Sequence, residues 1–203
     1  MIRQPPADHL GDPIGQASAW NIANAITVLR LLLVPVFVVV AVPGFADNDD
    51  GLRVAGTVIF LTAAVTDLVD GEIARRLHLV TTFGKVVDPI ADKALTGAAL
   101  LILSAFDALP WWVTVLIIGR ELLVTALRFW VIQHGVMAAS RGGKVKTVLQ
   151  MAAISLYLLP LPADVEFLPA SVMTLAVVVT IVTGIDYCLR AMRLRRAALA
   201  VQP

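Results

Sequence analysis

Thr66-Asp67-Leu68-Val69-Asp70-Gly71-Glu72-Ile73-Ala74-Arg75 is followed, after eight further residues, by Gly84-Lys85-Val86-Val87-Asp88-Pro89-Ile90-Ala91-Asp92. The four aspartates fall within two otherwise apolar runs. An ionised carboxylate near the centre of a bilayer costs about 2.5–3.5 kcal/mol on insertion scales, so four of them require a cation, a wet cavity or both. On a helix, Asp67, Asp70, Gly71 and Ala74 stand at i, i+3, i+4 and i+7 and share one face. Asp88 and Asp92, at i and i+4, form a second acidic face, and the short basic connection between the runs makes the two helices antiparallel neighbours. Oxygen donors with no His or Cys among them favour Mg²⁺ or Mn²⁺ over zinc. Gly71 and Ala74 leave the backbone open to a bulky ligand, and Arg75 supplies a fixed cation for phosphate oxygens. Close helix packing alone would explain the small residues but not the acids beside them.

The rest of the chain supports a membrane setting. Of 203 residues, 59% are hydrophobic and 15% charged, and the mean hydropathy of +0.85 is too high for a soluble core of this size. Six apolar runs are expected as membrane helices: 22–42, 54–77, 86–106, 111–132, 145–161 and 171–189. The fifth is short, and Pro35 is expected to kink the first. A polar segment, 1–20, precedes a catalytic region, 21–190, and a basic tail, 191–203, follows it. The order of polar and apolar residues at the start is wrong for a cleaved signal peptide. Residues 17–27, opening around Trp20, suit a juxtamembrane segment lying along the inner surface.

Charge alternates from one connection to the next. Asp47, Asp49 and Asp50, then Asp107, then Asp164 and Glu166 mark one side. Arg75, Arg76 and Lys85, then Arg141, Lys144 and Lys146, then Arg190, Arg193, Arg195 and Arg196 mark the other. The positive-inside rule puts the second side and both termini in the cytoplasm, as an even number of spans requires. That reading gives a multi-pass protein of the inner (cell) membrane whose acidic site faces the cytoplasm. Trp111, Trp112 and Trp130 suit the aromatic belt, and His9, His78 and His134 fall in connections or at helix ends. Cys188, the one cysteine, reads as packing. A net charge of +1 gives no general drive toward nucleic acid.

The pattern Asp-x2-Asp-Gly-x2-Ala-Arg-x8-Gly-x3-Asp-x3-Asp, from Asp67 to Asp92, resembles the signature of the CDP-alcohol phosphotransferase family at every fixed position. The resemblance implies an all-α, six-span membrane homodimer that binds two divalent ions through Asp67, Asp70, Asp88 and Asp92 and releases CMP from a CDP-activated lipid. It implies that Asp92 also activates the acceptor hydroxyl. The CDP-lipid would be held by Asp67, Asp70, Gly71, Ala74, Arg75, Thr81 and Gly84, with Asn24 and Thr27 ahead of the first span.

Three further stretches, Asn21 to Arg30, Gly119 to Arg128 and Gly143 to Gln150, are similar to the branch of that family that uses glycerol 3-phosphate, with CDP-diacylglycerol as the lipid donor. Ala23 departs from a proline common there. Arg120 and Arg128 lie in an apolar span, where a cation needs an answering charge. Adjacent positions on a helix do not face each other, so Glu121 is expected to be a poor partner for Arg120, with Asp186 as the other acid within the runs. The phosphate of the acceptor is then the expected counter-charge, held by Arg120 and Arg128 and completed by Lys144, Lys146 and Thr147. Acceptors such as phosphatidylglycerol or an inositol phosphate are the alternatives within the family, and an acidic metal channel is the alternative outside it.

Overall fold

The computed structural model describes residues 22–76, 82–131 and 141–200; for 22–27, 67–76, 82–92, 128–131, 141 and 194–200 it describes the backbone alone. Among the described residues the protein is all-helical, with no strand. Its elements are α1 (Ile22–Ala46), α2 (Asp50–Arg76), α3 (Thr82–Ala105), α4 (Trp111–Val131), α5 (Arg141–Leu158) and α6 (Phe167–Ala200), with a short 3-10 turn, Ala163–Val165, before α6. Each apolar run becomes one helix. α1 continues through both Pro35 and Pro43. α6 extends past the last apolar run, so residues 191–200 prolong it as helix instead of opening a separate element.

The turns follow from local chemistry. Asn48 and Asp107 adopt positive φ, 51° and 57°, a region that short Asx side chains tolerate better than most residues. Asp49 Oδ1 accepts the Leu52 amide at 2.9 Å and so caps the start of α2. Gly44 lets α2 approach α1 closely, since a Cβ there would lie 3.0 Å from the Arg53 nitrogen.

Contacts at these turns fix which helix ends lie together. Arg53, near the start of α2, donates to the carbonyl oxygens of Tyr157, Leu158 and Leu159 at 3.1–3.3 Å, closing the end of α5. Its guanidinium carbon also lies 4.6 Å above the Phe45 ring, and Phe45 stacks on Phe106 at 5.8 Å. Thr114 donates to the Leu100 carbonyl while sharing a 2.7 Å hydrogen bond with Ser104, joining α3 to α4. The ends of α1, α3 and α5 and the starts of α2 and α4 therefore meet, and the acidic connections emerge there. α1 packs on α2 and α3, α5 on α6 and α2, and α4 on α6 and α3.

Phe37, Phe60, Leu100, Leu103, Ile117 and Ile154 form the centre of the buried cluster, with Ala63, Ala99 and Ala153 fully buried among them. Val39, Val115, Val182 and Leu32 lie outside it, and Val39 is 71% exposed. Small residues between helices and branched aliphatics facing outward are the arrangement expected where lipid, not water, surrounds a bundle. Among the described residues two stretches, Val28–Ala46 and Ala163–Arg193, are long and apolar enough to cross a membrane, with mean hydropathies of 2.4 and 2.1.

Candidate active site

The two acid-bearing helices have the form that the spacing requires. α2 is helical through Asp67, Asp70, Gly71, Ala74 and Arg75, and α3 through Gly84, Asp88 and Asp92. The i, i+3 and i, i+4 relations therefore stand as helix faces. At about 1.5 Å per residue, Asp67 lies about 26 Å and Asp92 about 20 Å along their helices from the acidic end of the bundle. The side chains of these residues, and those of Asn24, Thr27 and Arg128, lie outside the described residues, as does Thr81 altogether. Among the described residues no three His, Cys, Asp or Glu side chains gather as metal ligands. The donor set on α2 and α3, carboxylates alone on two adjoining helical segments, fits a hard divalent cation.

Beside these helices the structure resolves a cluster of charged side chains. Arg120 on α4 donates from Nη1 to Glu121 Oε1 at 3.0 Å and from Nη2 to Thr183 Oγ1 on α6 at 3.0 Å. Lys146 on α5 donates to the same Glu121 oxygen. The side chains of Lys146 and Arg120 are 6% and 13% exposed, against 26% for Glu121. Two helices, α4 and α5, thus deliver two cations to one carboxylate, and α6 adds the Thr183 hydroxyl.

This arrangement overturns the expectation that Glu121 is a poor partner for Arg120. Backbone directions 100° apart keep short neighbours from facing each other. Arg and Glu are long enough to curl to a common point, and Lys146 and Thr183, arriving from α5 and α6, define that point. Asp186 is engaged elsewhere, accepting from Arg190 one turn on at 3.0 Å. Arg120 and Lys146 thus bring two cationic side chains to one mostly buried place beside Glu121. That pair of cations, and not a lone arginine, is what a bound anion would meet.

The remaining acceptor candidates divide. Lys146 joins Arg120 through Glu121. Lys144 is exposed, about 200° round α5 from Lys146, and Thr147 spends its hydroxyl on the Gly143 carbonyl at 3.1 Å.

Four positions that the motif spacing does not single out belong to this site. Lys93, directly after Asp92, donates its ammonium to Thr125 Oγ1 on α4. Thr125 in turn donates to the Glu121 carbonyl at 2.7 Å. The helix carrying Asp88 and Asp92 is thereby tied to the helix carrying Arg120 and Glu121. A lysine inside an apolar run was the available signal for Lys93. Thr183 and Gly184 carry no charge and leave no such mark.

Comparison with known proteins shows what the chain is similar to. The model of the CDP-alcohol phosphatidyltransferase family matches residues 20–182. A protein of Mycobacterium tuberculosis named "Probable phosphatidylglycerophosphate synthase" is 48% identical over 183 residues, covering 90% of this chain and 87% of the relative. The CDP-diacylglycerol--glycerol-3-phosphate 3-phosphatidyltransferase of Bacillus subtilis is 42% identical over 180 residues, covering 83% and 93%. The enzyme of that same name from Rickettsia felis is 36% identical over 172 residues. With the family match spanning both acid-bearing helices and Arg120, Glu121 and Lys146, this chain belongs to the CDP-alcohol phosphatidyltransferase family.

Proposed function

We propose that this protein transfers the phosphatidyl group of CDP-diacylglycerol to glycerol 3-phosphate, giving phosphatidylglycerophosphate and CMP for phospholipid synthesis. The observation that carries the acceptor assignment is the convergence of Arg120 and Lys146, both mostly buried, on Glu121, on a helix tied through Thr125 to the lysine after Asp92. Its support from similarity is that relatives 42% and 36% identical are named for that reaction.

The chain's own residues divide the work. Arg75 holds the diphosphate oxygens of the CDP-lipid, and Gly71 and Ala74 let the nucleotide lie close to α2. Asp92 takes the proton of the acceptor hydroxyl as its oxygen bonds to the lipid-bearing phosphorus. The phosphoanhydride bond opposite breaks, and CMP leaves with the electron pair. Arg120 and Lys146 fix the acceptor's own phosphate so that its hydroxyl meets the phosphorus in line. Two Mg²⁺ or Mn²⁺ ions held by Asp67, Asp70, Asp88 and Asp92 would neutralise the diphosphate and the departing oxygen.

The same reading sets all six helices across the inner membrane as a homodimer. Both termini and the reaction site face the cytoplasm, where water-soluble glycerol 3-phosphate meets a lipid-borne donor. The purified protein in mixed micelles with CDP-diacylglycerol and Mg²⁺ is expected to release CMP with glycerol 3-phosphate at least about tenfold faster than with inositol phosphate or phosphatidylglycerol, the equivalent of about 1.4 kcal/mol. Faster release with either alternative would reassign the acceptor.

A further inference from the structure

We propose that Thr183 and Gly184 on α6 are positioning residues that seat Arg120 for the phosphate of the acceptor, an inference that rests on the acceptor reading above. Both lie just beyond residues 20–182, the span of the family match. The Thr183 hydroxyl donates to the Val179 carbonyl at 2.7 Å, with the Thr180 carbonyl at 3.2 Å. With its proton committed to its own helix, Oγ1 turns a lone pair toward Arg120 Nη2 at 3.0 Å.

Gly184 acts through shape. A Cβ there would stand 3.3 Å from Arg120 Cγ and 3.6 Å from its Nε, so the arginine stem runs against bare α6 backbone. Arg120 Nε is itself buried without a hydrogen-bond partner among the described residues, which leaves the guanidinium located by its two Nη contacts and by the space at Gly184. Displacing the stem by a few tenths of an ångström would tilt the planar fork, and a fork binds phosphate well only in the right plane. A glycine that merely brought α4 and α6 close would affect stability alone.

The experiment uses the full-length protein and reads the apparent KM for glycerol 3-phosphate, the apparent KM for CDP-diacylglycerol and the thermal midpoint. Thr183→Val and Gly184→Ala are each expected to raise the acceptor KM about three- to tenfold, in keeping with one weakened charged hydrogen bond, while the CDP-diacylglycerol KM stays within about twofold. Thr183→Ser, which keeps the hydroxyl, is expected to restore the acceptor KM. In an Arg120→Ala background, Gly184→Ala is expected to add nothing, because the side chain it displaces is gone. A lowered thermal midpoint with both KM values unchanged, or an additive effect in the double variant, overturns the positioning role. An unchanged acceptor KM in Arg120→Ala alone overturns the acceptor reading itself. A raised KM there with no change in Thr183→Val and Gly184→Ala overturns only the role given to α6.

Discussion

Glu121 receives hydrogen bonds from Arg120 and Lys146 at a single oxygen and is three-quarters buried. Glu121→Gln keeps an oxygen acceptor but removes the charge that compensates two cations. Stranding buried charge in this way costs several kcal/mol in a dry interior and less at a partly exposed site, so a loss of about 1–3 kcal/mol is expected, read as a lowered thermal midpoint in detergent. An unchanged midpoint would show that the two cations do not depend on Glu121. The spacing of the sequence points away from this pairing, because an i, i+1 rule describes one helix in isolation. Lys146 is 25 residues away and Thr183 is 62 residues from Glu121, so nothing local records their convergence. Lys93 was more legible, as a charge inside an apolar run, whereas Thr183 and Gly184 look like any small residues of a membrane helix.

At the level of the helices, hydropathy was a good guide to number and order. Each of the six runs holds one helix, the conformation in which a largely apolar segment satisfies its own backbone hydrogen bonds. The ends were less legible. α6 continues to Ala200 through a stretch rich in Arg, Ala and Leu, strong helix formers that hydropathy counts as polar tail. The end of α5 is set by a residue on another helix, since Arg53 takes up the carbonyls of Tyr157, Leu158 and Leu159. Arg53→Ala is expected to lower stability by about 1–3 kcal/mol, the loss of charged hydrogen bonds at a part-buried site, with the KM for both substrates unchanged because Arg53 lies at the acidic end, away from the Arg120 cluster. A raised acceptor KM in this variant would contradict the separation of the two ends.

Across the whole molecule, the acidic turns gather at one end and the Arg120 cluster lies about 14–18 Å from that end along α4 and α5, as measured at 1.5 Å per residue from Arg120 and Lys146. The carboxylate faces on α2 and α3 were legible in the sequence because their spacing is a property of single helices. How their side chains meet lies outside the described residues. The proposed orientation puts the acidic turns outside the cell and the basic connections inside. With Cys188 replaced by Ser, a cysteine at Asp49 or Glu166 is expected to react with an impermeant maleimide in intact cells, and one at Lys144 only after permeabilisation. The opposite pattern would invert the topology and separate the site from its soluble substrate. The central claim, that this chain makes an anionic phospholipid from glycerol 3-phosphate, is tested most directly by following labelled glycerol 3-phosphate into the organic phase with the purified protein, CDP-diacylglycerol and Mg²⁺. Lipid-borne label is expected to appear mole for mole with CMP, to require the CDP-lipid, and to fall by more than about a hundredfold in Asp88→Asn, whose amide cannot replace a charged metal ligand. CMP formed without label entering lipid, or full incorporation by Asp88→Asn, would contradict it.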